Sequence, residues 1–247
     1  MLPQLYMSFG GVGGYYLESY WLYIVLVIPA LIVSVAAQAS VKKSYAKMSR
    51  IYSKSGYSGA QAAEAVLKYY GISNVRIEQC SGKLSDHYDP RTNVIRLSEG
   101  VYSSTSVAAI GIACHEAGHA AQHAQGYLPI RMRNAVLPVC RIGSYAGIPL
   151  AFLGMALGFE PLVAIGLLLY AFIAVFQLAT LPVELNASSR ALAVIEDTAL
   201  LKNEEELKGA KSVLRSAAWT YVAALAVSLA NLLRFIILFT SRTRRRR

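Results

Sequence analysis

The segment His115-Glu116-Ala117-Gly118-His119 concentrates the side chains most able to do chemistry. Two histidines four positions apart on a helix lie one above the other, about 6 Å along the axis, so both imidazoles can reach one metal ion at about 2.1 Å. Glu116 points to the side of that pair, where a carboxylate can take a proton from a metal-activated water without joining the metal. His-Glu-x-x-His on a helix is the pattern of a zinc hydrolase. Gly118 costs about 1 kcal/mol in mid-helix relative to alanine and marks a place where another backbone comes close. The plainer alternative, histidines that are merely satisfied polar groups near a core, suits a lone histidine better than this constellation.

A catalytic zinc takes three protein ligands and keeps one position open. His123 lies about 12 Å along a continuous helix from His115, too far to share an ion, and reads as a capping or solvent-facing residue. His87 reads as an exposed turn residue or a substrate contact. Glu184, in Leu181-Pro182-Val183-Glu184-Leu185-Asn186-Ala187-Ser188, is the better third ligand. Pro182 suits the start of a helix on which Glu184, Ala187 and Ser188 share a face. The alternative role for Glu184 is a first-turn glutamate complementing a helix dipole.

The elements that must position these groups belong to an apolar chain. Of 247 residues, 55% are hydrophobic and 15% charged, with a mean hydropathy of +0.41. A soluble domain carries roughly 25% charge, so the composition predicts an integral membrane protein. Lys and Arg number 24 against 14 Asp and Glu, a net +10. In an apolar chain that excess reports charge on cytoplasmic segments, and no nucleic-acid partner is expected. Cys80, Cys114 and Cys140 are odd in number and lack framework spacing, so no structural disulfide is expected.

Residues 20–37 are apolar and long enough to cross a bilayer, with Trp21 and Tyr23 suited to its interface. Glu18 precedes this span and Lys42, Lys43, Lys47, Arg50 and Lys54 follow it, which puts the following segment in the cytoplasm. A removable signal peptide is the weaker reading, because no basic segment comes first. Residues 43–133 read as a water-exposed domain: a helix over 60–70 capped by Ser58 and closed by Gly71, a strand over 74–80, a hairpin turning at Asp89-Pro90-Arg91-Thr92, and one helix over 101–125 that carries the histidines. Residues 135–181 form two apolar helices joined by a short loop, a membrane hairpin that returns the chain to the side it left.

The last apolar stretch, 217–239, poses a conflict. A simple span would leave Arg242, Arg244, Arg245, Arg246 and Arg247 outside, against the charge bias. One resolution packs 217–229 against the catalytic domain and lets only 232–239 dip into the interface, consistent with the cost of placing Arg234 in mid-bilayer.

His115-Glu116-Ala117-Gly118-His119 together with Glu184-Leu185-Asn186-Ala187-Ser188 resembles the Glu-zincin membrane metallopeptidases. With Asp86-His87-Tyr88-Asp89-Pro90, Val94-Ile95-Arg96-Leu97-Ser98 and the terminal arginines, the chain more closely resembles the bacterial YugP-type neutral zinc metallopeptidases. That resemblance implies zinc held by His115, His119 and Glu184, Glu116 as catalytic base, and residence in a bacterial cell membrane. Ser188 stands where the wider group has Asp, leaving open which side chain supports the imidazoles; Asn186 and Asp197 are candidates.

The fold class expected is mainly α with a small β-hairpin or sheet, a multi-pass membrane protein with a zincin-like catalytic domain at the cytoplasmic membrane surface. Residues 1–41 form an N-terminal transmembrane segment, 42–134 the first part of the catalytic domain with the zinc helix, and 135–182 the transmembrane hairpin. Residues 183–216 form the second part, with the third ligand, and 217–247 an apolar C-terminal helix and basic tail. The activity expected is a Zn2+-dependent metalloendopeptidase acting on a peptide or membrane-protein substrate beside the lipid bilayer, with the substrate added as a strand next to residues 93–98. His87, Tyr88 and Arg190 are the candidates for oxyanion stabilisation. The alternatives are a non-catalytic scaffold or assembly factor that keeps a zinc site, an intramembrane protease as the nearest rival enzyme and, more distantly, a transporter. The first of these last two needs an Asp that 135–181 lacks; the second needs more intramembrane charge.

Overall fold

The structure, a computed structural model, describes residues 20–246. Glu18 and Arg247, used above in reading orientation, lie outside them. The chain is mainly helical. Helix α1 spans Tyr20–Met48, α2 Gly59–Tyr69, β1 Arg76–Cys80, β2 His87–Asp89, β3 Val94–Ser98, α3 Glu99–Tyr102 and α4 Val107–Ala124. Helix α5 spans Leu128–Leu157, α6 Glu160–Asp197 and α7 Glu204–Arg246. Helices α1, α5, α6 and α7 are each long and apolar enough to cross a membrane, so the protein is a mainly α membrane protein.

Two compact units divide the chain: residues 37–135 with 179–221, and the described parts of Met1–Ala36, Val136–Leu178 and Val222–Arg247. In the first unit, polar side chains define the ends of the elements. Ser58 accepts from the Gln61 amide at 3.3 Å and its own amide donates to Gln61 Oε1 at 2.9 Å, a reciprocal cap that starts α2. The sheet order is β1-β3-β2, with β1 parallel and β2 antiparallel to β3. Asp89 sets the β2–β3 turn, accepting from the Arg91 amide at 3.0 Å and the Thr92 hydroxyl at 2.8 Å. Those bonds, aided by Arg96, hold its carboxyl down at about 2.

Residues 101–125 are not one helix. The segment 103–106 breaks it, because its backbone pairs with the chain at 51–53: the Ser53 amide donates to Thr105 O and the Val107 amide to Ile51 O. Ser106 then caps α4 by accepting from the Ala109 amide at 3.2 Å. Helix α4 is the core of this unit, with Val107, Ile110, Ala113 and Ala117 fully buried against Val66, Leu97 and Ile195.

The second unit is held differently. Helices α5 and α6 meet through glycines: a Cβ at Gly166 would lie 2.5 Å from the Ala151 nitrogen, and one at Gly154 2.6 Å from the Val163 nitrogen. Small residues let backbones approach where no hydrophobic force separates protein from lipid. Arg234 of α7 lies over the rings of Tyr23 and Phe235, 5.0 and 5.3 Å from their centroids. Such stacking offsets part of the cost of a cation in an apolar stretch. Helix α7 runs unbroken past Leu229 and Arg234. Pro182 likewise lies inside α6 rather than at its start.

Candidate metal centre

Four side chains from α4 and α6 build the site. His115 and His119, one turn apart on α4, stand with their ring centroids 4.7 Å apart. Glu184 of α6, 5% exposed, presents Oε2 to both rings, 3.3 Å from His115 Nε2 and 3.5 Å from His119 Nε2. Glu116, next to His115, lines the same cleft and accepts from the Tyr88 amide of β2 at 3.0 Å.

The backbone contact that brings the helices together runs through Gly118. A Cβ there would sit 2.7 Å from the carbonyl oxygen of Ala187, so only glycine lets α6 come this close to α4.

The opposite ring nitrogens are engaged. His115 Nδ1 lies 3.1 Å from Ser188 Oγ, and His119 Nδ1 3.0 Å from Gln122 Oε1. Gln122 is fully buried and donates to Val183 O at 2.7 Å and to Asn186 Oδ1 at 3.0 Å. Both oxygens can accept from Nδ1–H, and in that tautomer each imidazole turns a lone pair on Nε2 toward the cleft. The serine at the position of the wider group's aspartate therefore supports His115 itself. Asn186 acts one bond further out through Gln122, while Asp197 accepts from Tyr69 at 2.6 Å instead.

Ligand atoms of His115, His119 and Glu184 all lie within 4.8 Å of one another, a set able to hold a metal ion. Donors about 2.1 Å from a tetrahedral zinc are separated by about 3.4 Å, and the two Nε2–Oε2 distances match that edge. Arg133 faces the other carboxylate oxygen, Oε1, at 3.8 Å, which leaves Oε2 as the donor turned to the histidines. The His119 imidazole is pushed above its ordinary value: burial opposes the charge, but the Glu184 carboxylate and the negative charge of Glu116 outweigh it. Burial pushes the Cys114 thiol far up, so the residue beside His115 is an inert packing group.

The other sequence candidates lie elsewhere. His123 is exposed, with its ring 6.0 Å from that of Tyr88. His87 is exposed and its Nδ1 lies 2.7 Å from Ser85 O. The Tyr88 hydroxyl donates to Asn93 at 3.0 Å, and Arg190 reaches Asn186 at 2.8 Å and Gln125 at 2.6 Å. Of these three oxyanion candidates, only Tyr88 touches the site, and through its amide. Strand β3 is paired on both sides, so a substrate strand cannot add to residues 93–98. Sequence reasoning missed Arg133, Gln122 and Tyr221, which lines the cleft and interacts with Glu184. For Gln122 a signal existed, since it lies three residues after His119 on one helix.

With this geometry in view, residues 23–240 match the family described as "Putative neutral zinc metallopeptidase". The chain belongs to this family. It is also 45% identical over 219 residues, 88% of this chain and 96% of the relative, to the "Putative membrane protease YugP" of Bacillus subtilis (strain 168). No solved structure shows a significant match. Membership implies zinc, and the residues that could hold it are the convergent His115, His119 and Glu184.

Proposed function

We propose that the protein is a membrane-embedded zinc metalloendopeptidase in which His115, His119 and Glu184 bind Zn2+ and Glu116 is the general base. The observation that carries this reading is the pair of Nε2–Oε2 separations at the edge length of a tetrahedral zinc site. Zinc bound there supplies Lewis acidity, which acidifies water and polarises a peptide carbonyl. Ser188 and Gln122 hold the imidazoles in the tautomer that offers Nε2, and Arg133 keeps Glu184 turned by its far oxygen. Glu116 takes the proton of the attacking water and delivers it to the leaving amine. Until substrate arrives, the Tyr88 amide fixes that carboxylate beside the histidines.

The cytoplasmic face is the side we assign to this unit, on the strength of Lys42, Lys43, Lys47, Arg50 and Lys54 following the first apolar stretch. Its partners are then a peptide or membrane-protein substrate and the lipid bilayer. Glu116→Gln tests the assignment. A peptidase keeps its zinc, measured as metal content of the purified chain, and loses cleavage by about 10²- to 10⁴-fold. A non-catalytic scaffold with a zinc site would show no zinc-dependent cleavage in the parent protein and no functional change in the variant.

A further inference from the structure

The cleft over the candidate metal centre has a volume of about 190 Å³, below the 300–1,000 Å³ typical of pockets for drug-sized ligands. That is room for a scissile group and little more than one side chain. Apart from the residues that hold the metal, the carboxylates of Glu116 and Asp86, and Ser188, Tyr45 and Tyr221, its lining is aliphatic, with Ile112 of α4, Val213 and Ala217 of α7, and Leu84 among it.

Leu84 is unusual on two counts. It is 45% exposed and lies outside the buried core. Its backbone is left-handed, with φ of +55°, a region that leucine adopts at a steric cost and that glycine or asparagine fill more readily. Burial does not explain a strained, exposed leucine lining this cleft, whereas contact with an apolar ligand does. Asp86, two residues on, is fixed by the Ser98 amide at 2.7 Å and the Ser98 hydroxyl at 3.0 Å, which keeps a negative charge at the same opening.

We infer that the protein selects its polypeptide substrates by one apolar side chain adjacent to the scissile bond, clasped between Leu84 and the Ile112–Val213–Ala217 wall, and that acidic side chains are rejected there. This rests on the proteolytic reading above. Selection by side chain also fits an edge strand, β2, whose Tyr88 amide is already engaged by Glu116.

The test uses the full chain in lipid nanodiscs, loaded with zinc, and a peptide library with cleavage sites mapped by mass spectrometry. Leu, Ile, Val, Met or Phe should be enriched at one position flanking the cut, with Asp and Glu depleted. Leu84→Asn should lower kcat/KM on these peptides by roughly tenfold or more, mostly through KM, while its melting temperature stays level or rises. Ala217→Phe narrows the pocket and should shift the preference toward Ala, Ser or Gly. It decides the matter if the Leu84 variant does not fold. Cleavage without apolar enrichment, or Ala217→Phe with the parent specificity, overturns the inference. If the zinc-loaded parent cuts no peptide at all, the proteolytic reading fails instead.

Discussion

Helix α4 sets His115 and His119 by its own periodicity, whereas α6 brings Glu184 by contacts with a partner 60 to 70 residues away in sequence. The first has 18 residues and sits at the centre of a buried cluster. The second has 38 residues and reaches α4 at Gly118–Ala187 and Gln122–Val183. A bite of two donors is thus a local property of the chain, and its third arm is a tertiary one. Damage to the second kind of contact should strip the metal while leaving both histidines where they are.

The sharpest break is Gly118→Val. The new side chain would meet the Ala187 backbone, so α6 must move away; zinc binding should be lost and the fold weakened by about 3 kcal/mol, read by metal content and denaturant unfolding. Next comes Glu184→Ala, which removes the arm but not the contact. Zinc affinity should fall more than 100-fold, beyond what partners outside the metal's own ligands command, with the melting temperature of the metal-free chain little changed. Full zinc retention would overturn Glu184 as the third ligand. Ser188→Ala and Gln122→Ala each loosen one imidazole and should cost about 10- to 100-fold in affinity. Gln122→Ala should cost more, because that side chain also ties α4 to α6. Smallest of all, Ser58→Ala takes the cap off α2 and should cost about 1 kcal/mol of stability while zinc affinity stays put. A change in affinity there would mean that the two kinds of contact are not separable.

The same division explains what could be read from the residues. Ser58 with Gln61, Asp89 with Thr92 and the paired histidines act across three or four positions, and each is visible as a spacing. Gly118 was legible as a site of close approach, though not its partner. The parallel pairing of β1 with β3 joins Arg76 to Val94, and the proximity of Arg133 to Glu184 spans about fifty residues; no local pattern reports either. Pro182 misled for a physical reason. Its missing amide suits a helix start, yet a long helix can carry it in the interior when neighbouring segments stabilise the turn. Ser103 to Ser106 misled in the opposite sense, because helical periodicity continues across a stretch whose backbone pairs with residues 51–53. Arg234 meets Tyr23 across the sequence, another contact that no local spacing reports.

The Tyr88 amide, turned away from β3 and onto Glu116, has a bearing on inhibition. Many peptidase inhibitors imitate an extended main chain and gain their grip by extending a sheet. Here the sheet's middle strand is flanked on both sides and the outward amide beside the histidines is occupied by Glu116, so such a mimic would have to displace that carboxylate to dock. If the proposed activity holds, a chelating headgroup carrying one greasy arm, sized for the cleft that Leu84 lines, is the better scaffold for blocking it.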